Sequence, residues 1–234
     1  MTEPQQLGFG FDEMHEAERT AHTPSTMEEA VPFYRKLIEK HHATMMAGDK
    51  DAAMAVRAEA DDLAYKLSGD DKAIKGGPDA PACQLERATA APEGTVPLWG
   101  QTGNYITDVD GMKVRIEQDG IFATGSHAMF WLAFSAHAVD YYKPFLSETG
   151  YRSFIGIFAP PEPGVTPEDF AKGAIRGQLN REHKGKPYRI EQSYVDREIE
   201  RRAIGSSPAA SHSVLSSHGA GLNDTQPGNR NGIG

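Results

Sequence analysis

The sequence predicts an α+β protein: an N-terminal helical hairpin followed by an antiparallel β-meander with packed helices. Three observations carry this expectation. Apolar residues recur at helical spacing on both sides of Gly48-Asp49. The period falls to two on both sides of Asp110-Gly111. A helix start, Thr166-Pro167-Glu168-Asp169, then follows the strand region.

The first helix is predicted from its start signals. Ser25 with Glu28, and Thr26 with Glu29, form two overlapping capping boxes, each able to satisfy N–H groups that a helix start leaves unpaired. Pro32 fits such a start only in the first turn. Tyr34, Leu37, Ile38, His41 and Met45 make the buried stripe, and Gly48 stops the helix in the left-handed conformation. Asp49 or Asp51 caps the next helix, whose stripe is Val56, Ala60, Leu63, Ala64 and Leu67. So short a connection makes the pair antiparallel.

Residues 69–95 read as a linker or lining loop, because Gly76-Gly77-Pro78 and Pro81 interrupt helical patterning. Three strands are then expected. Tyr105-Ile106-Thr107 leads into Asp110-Gly111, Met112, Val114 and Ile116 alternate with Lys113, Arg115 and Glu117, and Ile121-Phe122 follows Asp119-Gly120. For the apolar stretch Ser126 to Tyr142 periodicity does not decide between helix and strand: its four alanines and single β-branched residue, Val139, favour a buried helix, which is the assignment taken, while Phe130, Trp131 and Phe134 pull toward strand. Residues 150–158 read as another strand and Pro167 as the first residue of a helix, with Phe170, Ala174, Ile175 and Leu179 inward. Gly173 and Gly177 are expected to let that helix pack closely on the sheet. A last strand at 187–192 and a charged helix at 194–203 complete the 96–204 domain. Residues 1–24 are expected to be a flexible acidic arm, 25–68 the hairpin, and 205–234 a disordered tail rich in Gly and Ser.

Composition excludes several classes. The chain has 234 residues and one cysteine, enough length for a core and too few thiols for an internal disulfide, as in a reducing compartment. Its start lacks the charged and apolar regions of a secretory signal, and the 126–142 stretch, carrying His127, His137 and Asp140, is too short and polar to span a bilayer. A cytoplasmic protein without membrane contact is therefore expected. The net charge of −9 is unevenly placed: residues 1–31 hold seven acids against one base, while residues 172–202 hold nine bases against five acids.

No phosphate loop, HExxH, paired Cys-x-x-Cys or nucleophile elbow is present, and no cofactor or metal is expected. His41 and His42 diverge by ~100° on a helix and so do not share a metal. Cys83 lacks a local base to form its thiolate. The strongest catalytic candidates are His137, Asp140, Tyr151 and Arg152. A helix would place His137 and Asp140 on one face, with Asp140 orienting the imidazole, a nearby Ser or Tyr such as Tyr151 acting as nucleophile or acid, and Arg152 gripping a phosphate or carboxylate. His127, Ser147, Glu148 and Ser153 surround them as binding candidates. A second candidate surface is the basic run Arg176, Arg181, Lys184, Lys186 and Arg189 with Tyr188 available for stacking, although Glu182 and Glu191 interrupt it.

The stretch KPFLSETGYRSFIG, residues 143–156, resembles bacterial accessory proteins of the kind carried on mobile elements, the resemblance extending over roughly residues 27–204. It implies a bacterial cytoplasmic setting and transfers no activity and no catalytic residue. Three readings follow: an accessory protein that binds a macromolecule, with a protein partner or self-association through the hairpin; a small hydrolase or transferase at residues 127–153; and a nucleic-acid contact through residues 176–202.

Overall fold

A computed structural model describes residues 18–69, 77–123, 125–183 and 185–205. The acidic arm is thus described only from residue 18, and the tail from 206 onward lies outside the described residues. Helices α1 (Met27–Ala47) and α2 (Lys50–Ser68) form the expected hairpin. Thr26 caps α1, its Oγ1 accepting from the Glu29 N–H at 3.4 Å, so the second of the two overlapping boxes sets the start. Gly48 closes α1 at φ 70°, and Asp49 caps α2 by accepting from the Ala52 N–H at 3.0 Å. Pro32 lies inside α1 rather than in its first turn; it has no N–H to offer the Glu28 carbonyl, yet the helix continues through it. Residues 20 and 23 are buried beside the end of α2, where the Lys66 ammonium donates to both of their carbonyls.

The linker contains a helix, α3 (Pro81–Thr89). Pro81 starts it instead of breaking it, since the first helical position requires no N–H donor. Ala82 and Leu85 pack into one core with α1 and α2.

The sheet is a four-stranded antiparallel meander in the order β1 (Gly103–Val109), β2 (Met112–Gln118), β3 (Phe134–Ala138), β4 (Tyr151–Phe154). Asp110 and Gly111 turn β1 into β2 with φ of 54° and 89°, the paired left-handed geometry that an Asp-Gly hairpin supplies. Two expectations are corrected here. Ile121-Phe122 is a turn, not a strand: both side chains enter the helical core, and Phe122 stacks on Tyr34 at 5.2 Å. The apolar 126–142 stretch is not a helix. Turns occupy its first part, and Phe134–Ala138 form β3 between β2 and β4. Within β3, Phe134, Ala136 and Ala138 are buried while Ser135 and His137 turn to the other face. Partners on both sides satisfy the ladder and outweigh the helix propensity of alanine.

Helix α4 (Pro167–His183) covers the buried face, where Ala171 and Ile175 join Val114, Ile116 and Phe154 in one core. Thr166 caps it by accepting from the Asp169 N–H at 3.1 Å. Residues 187–192 contribute a single bridge, Tyr188 to Phe145, rather than a strand. Helix α5 (Gln192–Gly205) follows, and the chain divides into two compact units between its residues Asp196 and Arg197. In the second unit Glu198 accepts from Arg201 and Arg202, and the Arg201 hydrogen bonds, with those of Arg202, hold its carboxyl down to about 2. No helix among the described residues is long and apolar enough to cross a membrane.

Candidate functional site

The buried polar centre of the helical half is structural in form. Arg57 of α2 is 0% exposed. Its guanidinium donates to the carbonyls of Ser126, of Met129 at 2.6 Å and of Phe130 at 2.6 Å, and its Nε–H to His41 Nε2 at 2.9 Å. His41 Nδ1 meets the Trp99 carbonyl at 2.9 Å. A carbonyl only accepts and an arginine only donates, so the neutral imidazole with its proton on Nδ1 satisfies both neighbours. Burial, followed by the adjacent Arg57 charge, pushes the His41 pKa down to about 3. Burial also lowers that of Arg57 to about 10, which leaves it charged at neutral pH. Gly100, at φ 92°, passes so close that a Cβ there would lie 2.6 Å from His41 Nδ1. Every bond at this centre ends on another part of the chain, so it ties the 126–130 turns to the hairpin.

The open face of the sheet carries two of the four catalytic candidates. His137 and Tyr151 are cross-strand neighbours with rings edge-to-face at 5.0 Å. His137 Nε2 lies 3.0 Å from Glu117 Oε2 and 3.3 Å from Ser135 Oγ. The hydrogen bond from His137 is the main reason the Glu117 carboxyl is held down to about 2, with Arg115, also bonded to it, adding to the effect. A relay needs the acid on one imidazole nitrogen and the nucleophile on the other. Here both Glu117 and Ser135 meet Nε2, so the group is a hydrogen-bonded surface cluster rather than a relay. The helical spacing that paired His137 with Asp140 gives way to the strand pairing, in which His137 meets Glu117 instead. Asp140 lies beyond β3, where it accepts from the Tyr142 N–H at 3.0 Å and lies 3.8 Å from Lys143. His127 pairs with Asp61 of α2 at 2.6 Å. Ser147 bonds to the Tyr151 backbone, and the Glu148 carbonyl accepts from Glu191.

Arg152 and Ser153 border a different place, a cleft of about 700 Å³ between α4 and the run from Arg152 to Pro160. Its floor includes Trp131, which stacks on Phe170 of α4 at 4.6 Å and donates to the Ala159 carbonyl at 3.2 Å. Gly173 and Gly177 do not pack on the sheet as expected. They open into the cleft, and a Cβ on Gly173 would meet nothing within 4 Å. Ile155 and Phe158 line the same cleft and are 66% and 85% exposed. Gln178 lines it from α4, is only 6% exposed, and its side-chain Nε2 has no hydrogen-bond partner among the described residues.

The basic run is dispersed. Arg176 forms a two-pronged pair with Asp110 at 2.9–3.2 Å, which lowers the Asp110 pKa and raises that of Arg176. Arg181 borders the cleft, Lys186 and Arg189 are exposed, Tyr188 bridges to Phe145, and Lys184 lies outside the described residues. Sequence reasoning missed Gln178 and Phe170 as cleft residues. The available signal was the Gly173-x-x-x-Gly177 spacing, which leaves one helix face without side chains. Among the described residues no group of three or more His, Cys, Asp or Glu is placed to hold a metal ion.

No family model and no solved structure matches the chain. It is 38% identical over 109 residues to Protein KlcB of Escherichia coli, covering 47% of this chain and 22% of that protein. A second Escherichia coli Protein KlcB is 29% identical over 182 residues, covering 77% of this chain and 43% of the relative. The chain thus spans less than half the length of the curated relatives it matches, and the similarity is to bacterial proteins whose name states no activity.

Proposed function

We propose that the protein is a bacterial, intracellular accessory protein that acts by holding a partner macromolecule in the cleft between β4 and α4, without chemistry of its own. The observation that carries this reading is the cleft: open, with an apolar floor and charged ends, walled by a sheet-edge strand and rimmed by exposed Ile155 and Phe158. Similarity to Escherichia coli Protein KlcB supports the bacterial setting, and the single cysteine supports a reducing compartment. The hydrolytic reading has less support, because His137 meets both of its polar partners through one nitrogen. The nucleic-acid reading has less support because Arg176 is paired with Asp110, and Arg201 and Arg202 with Glu198.

The test compares retention of proteins from a bacterial lysate by the wild-type chain and by Gly173→Leu. Leu at 173 fills the cleft in a position where its Cβ meets nothing and where glycine weakens the helix. The expected result is a partner retained by the wild type and lost from a variant whose melting temperature is equal or higher. Identical retention by both proteins removes the cleft as the binding surface.

A further inference from the structure

We infer that the cleft receives an extended peptide that adds as a further strand to the free edge of β4, running antiparallel to it, with a carboxylate held at the Arg181 end. The inference rests on the cleft being the binding surface and names what occupies it.

The edge comes first. Among the described residues β4 pairs only with β3 and is the last strand of the sheet. Ala138 donates to the Gly150 carbonyl at 2.8 Å, which makes that a hydrogen-bonded pair. The alternation of an antiparallel ladder then makes Ala136–Arg152 and Phe134–Phe154 the next bonded pairs. The main-chain groups of Tyr151, Ser153 and Ile155 therefore point away from β3. Those of Tyr151 are occupied by the Ser147 hydroxyl, which leaves Ser153 and Ile155 to face the cleft they line.

The opposite wall supplies room and a donor. Gly173 and Gly177 leave one face of α4 open, and a stripe of small residues alone would be no site. At the far end of that face Arg181 borders the cleft and supplies a guanidinium able to hold a carboxylate.

Charge sets the direction. At one end of the cleft are Gln178, Arg181 and Arg152, the last shared with Glu182 at 3.2 Å. At the other are Glu162 and Asp169, near Ala159 and Phe170, which Trp131 links. β4 and α4 thus run oppositely along the cleft. A strand antiparallel to β4 brings its C-terminal end to the basic donors and its N-terminal end to the acids, whereas a parallel strand reverses both matches. Asp169 to Arg181 spans ~18 Å at ~1.5 Å per residue, which is ~5 residues of extended peptide.

The experiment selects random heptapeptides with free C-termini against the full chain. A fluorescein-labelled peptide from that selection is then titrated by anisotropy, with Trp131 fluorescence as the reporter within the cleft. The expected outcome is a consensus of alternating apolar residues ending in a carboxylate, with ~10-fold weaker binding after C-terminal amidation and for Arg181→Leu. Ser153→Pro, which removes an outward N–H and spares the ladder, is expected to abolish binding with little change in melting temperature. Gly173→Leu is expected to do the same. Failure to select any peptide, a consensus with helical spacing, or equal binding by amidated peptide and Ser153→Pro overturns the inference. So does a concentration-dependent dimer, seen by light scattering, that Ser153→Pro dissolves, because the occupant is then a second copy. If a lysate partner is still lost from Gly173→Leu while peptide selection fails, the peptide inference falls and the cleft reading stands.

Discussion

Two buried polar groups, Arg57 of the helical half and Gln178 of the sheet half, are met in opposite ways. In the helical half Arg57 and His41 are fully buried, and each donor meets an acceptor from another segment of the chain. In the sheet half Gln178 is almost as buried, and among the described residues its amide donor meets nothing. A satisfied buried network holds a fold together, whereas a buried amide without an acceptor subtracts from stability. The same contrast holds for glycine. Gly100 is required because backbone and His41 crowd together, whereas Gly173 leaves space that nothing fills.

The largest predicted effect breaks the satisfied side. Arg57→Ala strands His41 Nε2 and three carbonyls in the interior and is expected to lower stability by about 3–5 kcal/mol in urea unfolding. A loss under 1 kcal/mol means that water replaces the guanidinium there. Acid probes the same centre. The folded value of His41 lies below its ordinary 6.5, so from pH 6.5 down to about 3 the unfolded chain binds a proton that the native chain refuses. Stability is thus complete above pH 6.5 and declines as pH falls. Glu117, held at about 2, adds its own loss below its ordinary 4.5. His41→Asn is expected to be less stable at pH 7 and to flatten the urea midpoint between pH 5 and 6.5; an unchanged slope assigns the acid sensitivity elsewhere.

Smaller effects sharpen the contrast from the other side. Gly173→Leu is expected to raise stability by up to about 1 kcal/mol, since it restores helix propensity and meets no neighbour. Destabilisation shows instead that the cleft is tighter than its volume indicates. Thr26→Ala removes the α1 cap and is expected to cost about 1 kcal/mol in thermal unfolding. Arg152→Ala breaks only a solvent-exposed pair with Glu182 and is expected to change stability by less than about 0.5 kcal/mol. A larger loss makes that pair a structural strut across the cleft mouth.

The local punctuation of this protein is legible in its sequence. Thr26, Gly48, Asp49, Asp110-Gly111 and Thr166-Pro167 each act through their own backbone and near neighbours, and each performs the expected role. Their chemistry is complete within a few residues, although Asp119-Gly120 carries the same signal and leads into a turn packed on the helical core instead of a strand. The candidate site was less legible. The sequence points to Arg152, Ser153 and Arg181, which border the cleft, but it favours a helix for the stretch that folds into β3. Phe134-Ser135-Ala136-His137-Ala138 alternates strictly, yet the alanines and apolar flanks concealed a period of two.

Sequence alone determined the hairpin, its caps, the Asp-Gly turn and the start of α4, because capping, left-handed glycine and proline geometry are short-range constraints. Tertiary structure decided the rest. Strand partners on both sides drew 134–138 into the sheet, Tyr34 and the helical core drew Ile121-Phe122 out of it, and Arg57 found its acceptors some seventy residues away. Each of these choices depends on which distant surface stands ready to bury an apolar side chain or complete a hydrogen bond, and that is a property of the assembled fold.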